Sequence, residues 1–216
     1  MNRQSLEEQE LKLELRLEQL ERNEACQNNF LQFVRRLWPE FITGRHHEII
    51  AEKLERVAKG ELKRLIINMA PRHTKSEFAS FLFPAWMMGR KPNMKIIQAT
   101  HTTELAVNFG RKTKNMIDSE DYKEIFPEVK LAADSKASGR WDTSAGGMYY
   151  AVGVGSNLAG RGGDLVIIDD PHSEQTAMSN NGFDDAWEWY TGGPRQRLQP
   201  GGPIVLVQTR WSEKDM

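Results

Sequence analysis

The segment that most restricts the fold is Leu65-Ile66-Ile67, which leads through Ala70-Pro71 to Lys75-Ser76 and a helical pattern to about residue 88. A short apolar run without alternation reads as a buried strand. Similar strand patterns lie at 95–100, 148–154, 165–168 and 204–208, with helical patterns at 104–116 and 183–190 between them. That succession predicts an α/β fold, a mostly parallel sheet with helices on both faces. Two helical patterns precede it: one through Phe30, Phe33, Val34 and Leu37, and one from His47 through Ile50, Leu54 and Val57, which Gly60 ends.

The first 24 residues differ from the rest. They hold seven Glu against four Lys and Arg, while the whole chain carries 30 acidic and 29 basic residues. Leu6, Leu13, Leu17 and Leu20 recur at helical spacing, with Leu11 and Leu15 beside them. This reads as an acidic N-terminal helical arm, residues 1–24, before a domain at 25–216. A helix packed on its own domain or partly frayed is favoured over a coiled-coil or partner-binding arm, because so short a heptad pattern specifies little. The near-zero net charge gives no field to draw the whole chain onto nucleic acid, so any such contact is local. One cysteine, Cys26, excludes a disulfide scaffold or a thiolate zinc site. The longest apolar stretch, 81–88, is too short for a membrane span, and the acidic N-terminus is no signal peptide. A soluble, non-secreted protein is expected.

A strand, a turn and Lys-Ser opening a helix suit triphosphate binding. Backbone N–H groups and the helix N-terminus face the anion, the lysine reaches the outer phosphates, and the hydroxyl meets magnesium. Lys75 and Ser76 take those positions, but Met69 and Thr74 stand where G-x-x-x-x-G-K-[ST] has glycine. Threonine resists the backbone angles glycine permits. Read alone, the segment fits an ordinary strand-to-helix turn equally well. The second run, 165–168, delivers Asp169-Asp170 to a strand's C-terminal end, where open parallel sheets bind ligands. Asp169 would hold the metal and Asp170 would orient the attacking water; alone, Asp-Asp-Pro is a strand-ending turn. Gly153, Gly155, Gly160, Gly162 and Gly163 are not a dinucleotide fingerprint, since Leu158 replaces the third glycine and a strand follows. They bend the backbone, leaving Arg161 exposed.

Three segments together resemble the N-terminal packaging ATPase domain of the large terminase subunit of tailed bacteriophages. They are Ala70-Pro71-Arg72-His73-Thr74-Lys75-Ser76-Glu77, Gly160 through Pro171, and Val207-Gln208-Thr209-Arg210-Trp211. The resemblance runs from about Phe30 to the end and omits the acidic arm. It implies a P-loop NTPase-like fold, ATP and Mg2+ as cofactors, and ATP hydrolysis coupled to translocation of double-stranded DNA into a procapsid. The implied partners are the portal protein, a small terminase subunit and further copies of the chain, in a homo-oligomeric ring when active and a monomer in isolation. The implied location is the host cytoplasm during virus assembly. Arg72 matches the early arginine of the deviant loop, with His73 and Thr74 beside it. Ser76 and Asp169 would hold the metal, and Lys75 and Asp170 would be catalytic. Arg161 matches a finger donated to the neighbouring subunit's ATP, so an isolated monomer should turn over slowly. Thr209 and Arg210 match a coupling motif that senses the γ-phosphate. His46 falls where the family places a residue near adenine, with Trp38 close by. The nuclease domain of complete large subunits is expected to be absent from these 216 residues.

Two alternatives stand beside the motor: a helicase-like DNA translocase, which shares the core motifs, and a non-hydrolysing docking module whose acidic arm contacts a partner. Arg111, Lys112, Lys114, Arg195 and Arg197 are candidate phosphate contacts that read equally as solvated faces.

Overall fold

The computed structural model describes residues 3–135, 137–158, 160–179 and 181–215. Its helices are α1 (Arg3–Asn28), α2 (Phe30–Leu37), α3 (Arg45–Ala58), α4 (Phe83–Arg90), α5 (Thr103–Asp118), α6 (Glu120–Ile125), α7 (Glu174–Ala177), α8 (Gly182–Gly192) and α9 (Pro194–Arg197). A π-helical segment, Glu77–Leu82, runs directly into α4. The strands are β1 (Arg64–Asn68), β2 (Lys95–Thr100), β3 (Arg140–Asp142), β4 (Met148–Gly153), β5 (Leu165–Asp169) and β6 (Ile204–Gln208).

The strands form one sheet in the order β1-β6-β5-β2-β4-β3. All neighbours pair in parallel except β3, which runs antiparallel to β4. The expected α/β architecture is therefore present, and the five parallel strands end at one common edge. Alternation along the strands divides the core. Leu165, Ile167, Val205 and Val207 join the larger cluster, beneath α2, α3, α4 and α5. Val166, Ile168, Ile204 and Leu206 face the opposite way, packed by Trp189, Tyr190 and Leu198. The same alternation turns Asp169 towards the first face, where the π-helical segment lies.

Asn29 and Thr102 accept hydrogen bonds from Gln32 N–H and Leu105 N–H, capping α2 and α5. Such caps contribute about 0.5–2 kcal/mol each. Phe30, the first residue of α2, meets Phe78 and Phe83 edge-on, each at 5.7 Å, and so locks α2 onto the helical segment that follows the loop 69–74.

Two expectations need correction. β1 is not buried on both faces: it is the edge strand of the sheet, and Ile66, on the face it shares with Leu206, is 58% exposed. The arm packs on its own domain only through its last turns. There Asn23 and Gln27 donate to the carbonyls of Glu124 and Ile125, and Trp86 Nε1 donates to the Cys26 carbonyl. Leu11, Leu13, Leu15, Leu17 and Leu20 are each at least half exposed, so the leucine pattern fills no core position of this chain. The helix also runs unbroken past residue 24 to Asn28. Beyond these, α6 and β3 carry no clear sequence signal, being six and three residues long. Among the described residues, no helix is long and apolar enough to cross a membrane.

Candidate functional site: a lysine and two carboxylates at the sheet edge

β1 delivers the chain to the loop 69–74, and a helix begins immediately afterwards. Lys75 at its start is 5% exposed. Its Nζ lies 2.9 Å from Asp170 Oδ2 and 3.1 Å from Thr209 Oγ1. Thr209 N–H donates to the other Asp170 oxygen at 2.7 Å. One carboxylate thus joins the ends of β1, β5 and β6 across a separation of 95 residues in sequence. β6, lying between β1 and β5, carries Thr209 into the gap between them.

Ser76 Oγ donates to Asp169 Oδ1 at 3.1 Å. The second oxygen of Asp169 is buried without a hydrogen-bond partner. Burial raises this carboxyl to about 6, and the negative charge of Asp170 adds to the effect; hydroxyls of Ser80 and Ser76 and the Lys75 ammonium act against it. A buried carboxylate with one free oxygen beside a serine hydroxyl is a donor set suited to a hard divalent cation. Among the described residues, no group of three or more His, Cys, Asp or Glu forms a self-sufficient metal site. Ser76 and Asp169 would therefore hold an ion only together with water or ligand oxygens.

The two aspartates differ in access. Asp169 is 1% exposed, whereas the side chain of Asp170 is 28% exposed and can meet solvent. Asp170 also sits at φ 42°, and its carbonyl accepts the backbone N–H of His101 at 3.2 Å. The ring Nδ1 of His101 lies 3.1 Å from that carbonyl.

The loop itself is left-handed at two non-glycine residues, Arg72 (φ 63°) and Thr74 (φ 62°). Thr74 therefore adopts the geometry that threonine was expected to resist. For a β-branched residue this costs on the order of 1–2 kcal/mol. Its hydroxyl lies 2.6 Å from His47 Nε2 and 2.6 Å from the His73 carbonyl. His47 is buried, stacked on Phe78 at 5.0 Å and edge-on to Phe41 at 4.7 Å. Burial, with the charge of His46, lowers it from 6.5 to about 4, so its ring is neutral near pH 7. His46 lies beside His47 at 3.8 Å and 6.2 Å from the His73 ring. Trp38 packs on Phe41.

The other candidates divide. Arg72, His73 and Arg210 are exposed at this edge. His73 Nδ1 contacts the Pro71 carbonyl, and Arg210 Nε donates to the Ser212 carbonyl. Trp211 is 46% exposed rather than packed. Arg161 is not brought to this cluster. Its guanidinium stacks 3.9 Å over the ring of Tyr150 on β4, two strands away from β5, with one nitrogen buried and unbonded. The expectation that Arg161 stands exposed fails because the glycine-rich segment crosses the sheet. It starts at the C-terminal end of β4 and reaches the opposite edge, where Asp164 accepts the Lys95 N–H. Of the basic candidates, Lys112 pairs with Glu77, Lys114 bonds the Ser135 carbonyl and Arg111 bonds Asn108. Arg195 is exposed, and Arg197 is partly buried.

Sequence reasoning missed His47, Ser80 and His101. Ser80 lies four residues after Ser76, a spacing that signals a shared helical face. Nothing local marks His47 or His101, whose partners are distant in sequence.

The fold that carries this cluster has a counterpart among solved structures. The fold is terminase-like. One match is to the crystal structure of the HK97 bacteriophage large terminase, at a TM-score of 0.53 and 13% identity, covering 85% of this chain and 37% of that one. The chain thus spans little more than a third of that terminase. No protein-family model and no curated protein matches the sequence. At this identity the terminase-like likeness concerns the fold.

Proposed function

We propose that the chain is the ATP-hydrolysing motor domain of a phage DNA-packaging terminase, acting on double-stranded DNA in the host cytoplasm. Residues 1–24 would be an arm and 25–216 the ATPase domain. One observation carries this reading: Lys75, Asp170 and Thr209 meet within 3.1 Å at the edge where the parallel strands end, with Ser76 on Asp169 beside them. The portal, a small subunit and further copies of the chain follow from the same reading as partners.

In the arrangement present, the Lys75 ammonium is neutralised by Asp170. A terminal phosphate offers the ammonium a more highly charged partner, and its arrival would leave Asp170 held by the Thr209 amide. Asp170, the more accessible of the two carboxylates, is then free to accept a hydrogen bond from water and align it for attack. Thr209 contacts both Lys75 and Asp170, so a change in their pairing is transmitted to the end of β6. Asp169 and Ser76 would hold Mg2+, which supplies charge neutralisation at the phosphates. The loop amides around Arg72, His73 and Thr74 would cradle the anion, and His46 would lie towards the base. Arg161 would act between neighbouring copies, which requires it to leave Tyr150.

The test replaces Asp170 with Asn. Mg-ATP binding by calorimetry is expected to persist while phosphate release falls by at least two orders of magnitude. Undiminished turnover would overturn the assignment of Asp170.

A further inference from the structure

Thr74 has no glycine-like freedom, yet it is left-handed, so something must hold it. The hydrogen bonds around it have only one consistent direction. Gly44 N–H donates to His47 Nδ1 at 2.9 Å, so that nitrogen is an acceptor. The neutral ring then carries its proton on Nε2, which donates to Thr74 Oγ1. Having accepted that bond, the threonine hydroxyl donates its own proton to the His73 carbonyl. The chain runs from the N-terminus of α3, through a ring clamped by Phe41 and Phe78, into the backbone of the loop that precedes Lys75.

We infer that His47 is a positioning residue for the phosphate loop: by bonding the Thr74 hydroxyl it holds in the left-handed state a residue that lacks glycine's freedom. The inference rests on the reading that this loop binds nucleotide phosphates, but the relay itself is a property of the loop without nucleotide. Its consequence is a conditional requirement. His47 is needed because residue 74 is threonine, and glycine at that position would remove the need.

The test is a double-mutant cycle of His47→Phe, Thr74→Gly and the pair, with His47→Gln as the conservative variant. Phenylalanine keeps the aromatic stacking and removes the donor; glutamine keeps a donor. Two readouts are taken: hydrogen exchange of the 73–75 amides without nucleotide, and Mg-ATP affinity by calorimetry. His47→Phe alone is expected to speed exchange at least tenfold and weaken binding at least tenfold, and His47→Gln to restore most of both. In the Thr74→Gly background, His47→Phe should change either by less than threefold. Equal effects in both backgrounds, or unchanged exchange in His47→Phe, would overturn the inference. If the wild-type chain binds no nucleotide, the functional reading fails and the exchange cycle still decides the relay.

Discussion

Replacing Asp169 with Asn is expected to make the nucleotide-free protein more stable while removing its affinity for Mg-ATP. The carboxyl is 1% exposed, and one of its oxygens has no hydrogen-bond partner. Burial lifts it from 3.8 to about 6. That difference corresponds to a penalty on the order of 3 kcal/mol for carrying the charge at neutral pH. Asparagine keeps the shape and the acceptor for Ser76, and its amide must find an acceptor in place of the free oxygen. If that amide is imperfectly satisfied, about 1–2 kcal/mol is lost. A net gain of about 1–2 kcal/mol remains, or several degrees in Tm for a chain of this length.

The pH dependence separates this mechanism from improved packing. Between 3.8 and about 6 the folded wild type holds a proton on Asp169 that the unfolded chain releases. Wild-type stability from this group therefore rises as pH falls through 6 and is complete near 3.8. The advantage of Asp169→Asn should be largest at pH 7.5, shrink as pH falls through 6, and give way by pH 4 to whatever cost the unmet amide carries. Chemical denaturation of both proteins at four pH values, with a thermal-shift measurement in Mg-ATP, provides the assay. A stability difference independent of pH, or a variant destabilised at pH 7.5, would refute the electrostatic account. A wild-type ligand shift retained by the variant would refute the metal assignment.

Two further outcomes are expected. Deleting residues 1–20 should change Tm by less than about 2 °C, because the described leucines in that stretch are at least half exposed and the anchoring contacts lie at Asn23, Cys26 and Gln27; a larger loss in a melting curve would mean that the arm stabilises the fold. Arg161→Ala should cost about 0.5–2 kcal/mol from the lost stack on Tyr150 and leave Mg-ATP binding by the monomer unchanged. The DNA-stimulated ATPase rate of the assembled protein should fall by about 10³-fold or more, and wild-type turnover would remove Arg161 from the mechanism.

Much of the frame was legible because it rests on local chemistry. The runs at 65–67, 95–100, 165–168 and 204–208 formed strands where short apolar segments predict them, and Gly60 takes the positive φ (79°) that ends a helix. Asp169 and Asp170 were nameable because they follow directly on an apolar run, and Lys75 and Ser76 because they open a helix one short turn after another such run. Arg161 was misread because local composition cannot say across which face a glycine-rich segment travels. The leucines of α1 were misread because helical periodicity records an apolar face without recording what covers it.

The sequence by itself determined which residues stand at the strand ends and which face each presents, since alternation with a period of two is a property of the backbone. Only the tertiary structure decided that β6 lies between β1 and β5, that Thr209 therefore bridges Lys75 and Asp170, and that His47 reaches Thr74. Strand order and helix packing are fixed by contacts between distant segments, whose energies depend on complementary surfaces meeting in space. No window of neighbouring residues contains them.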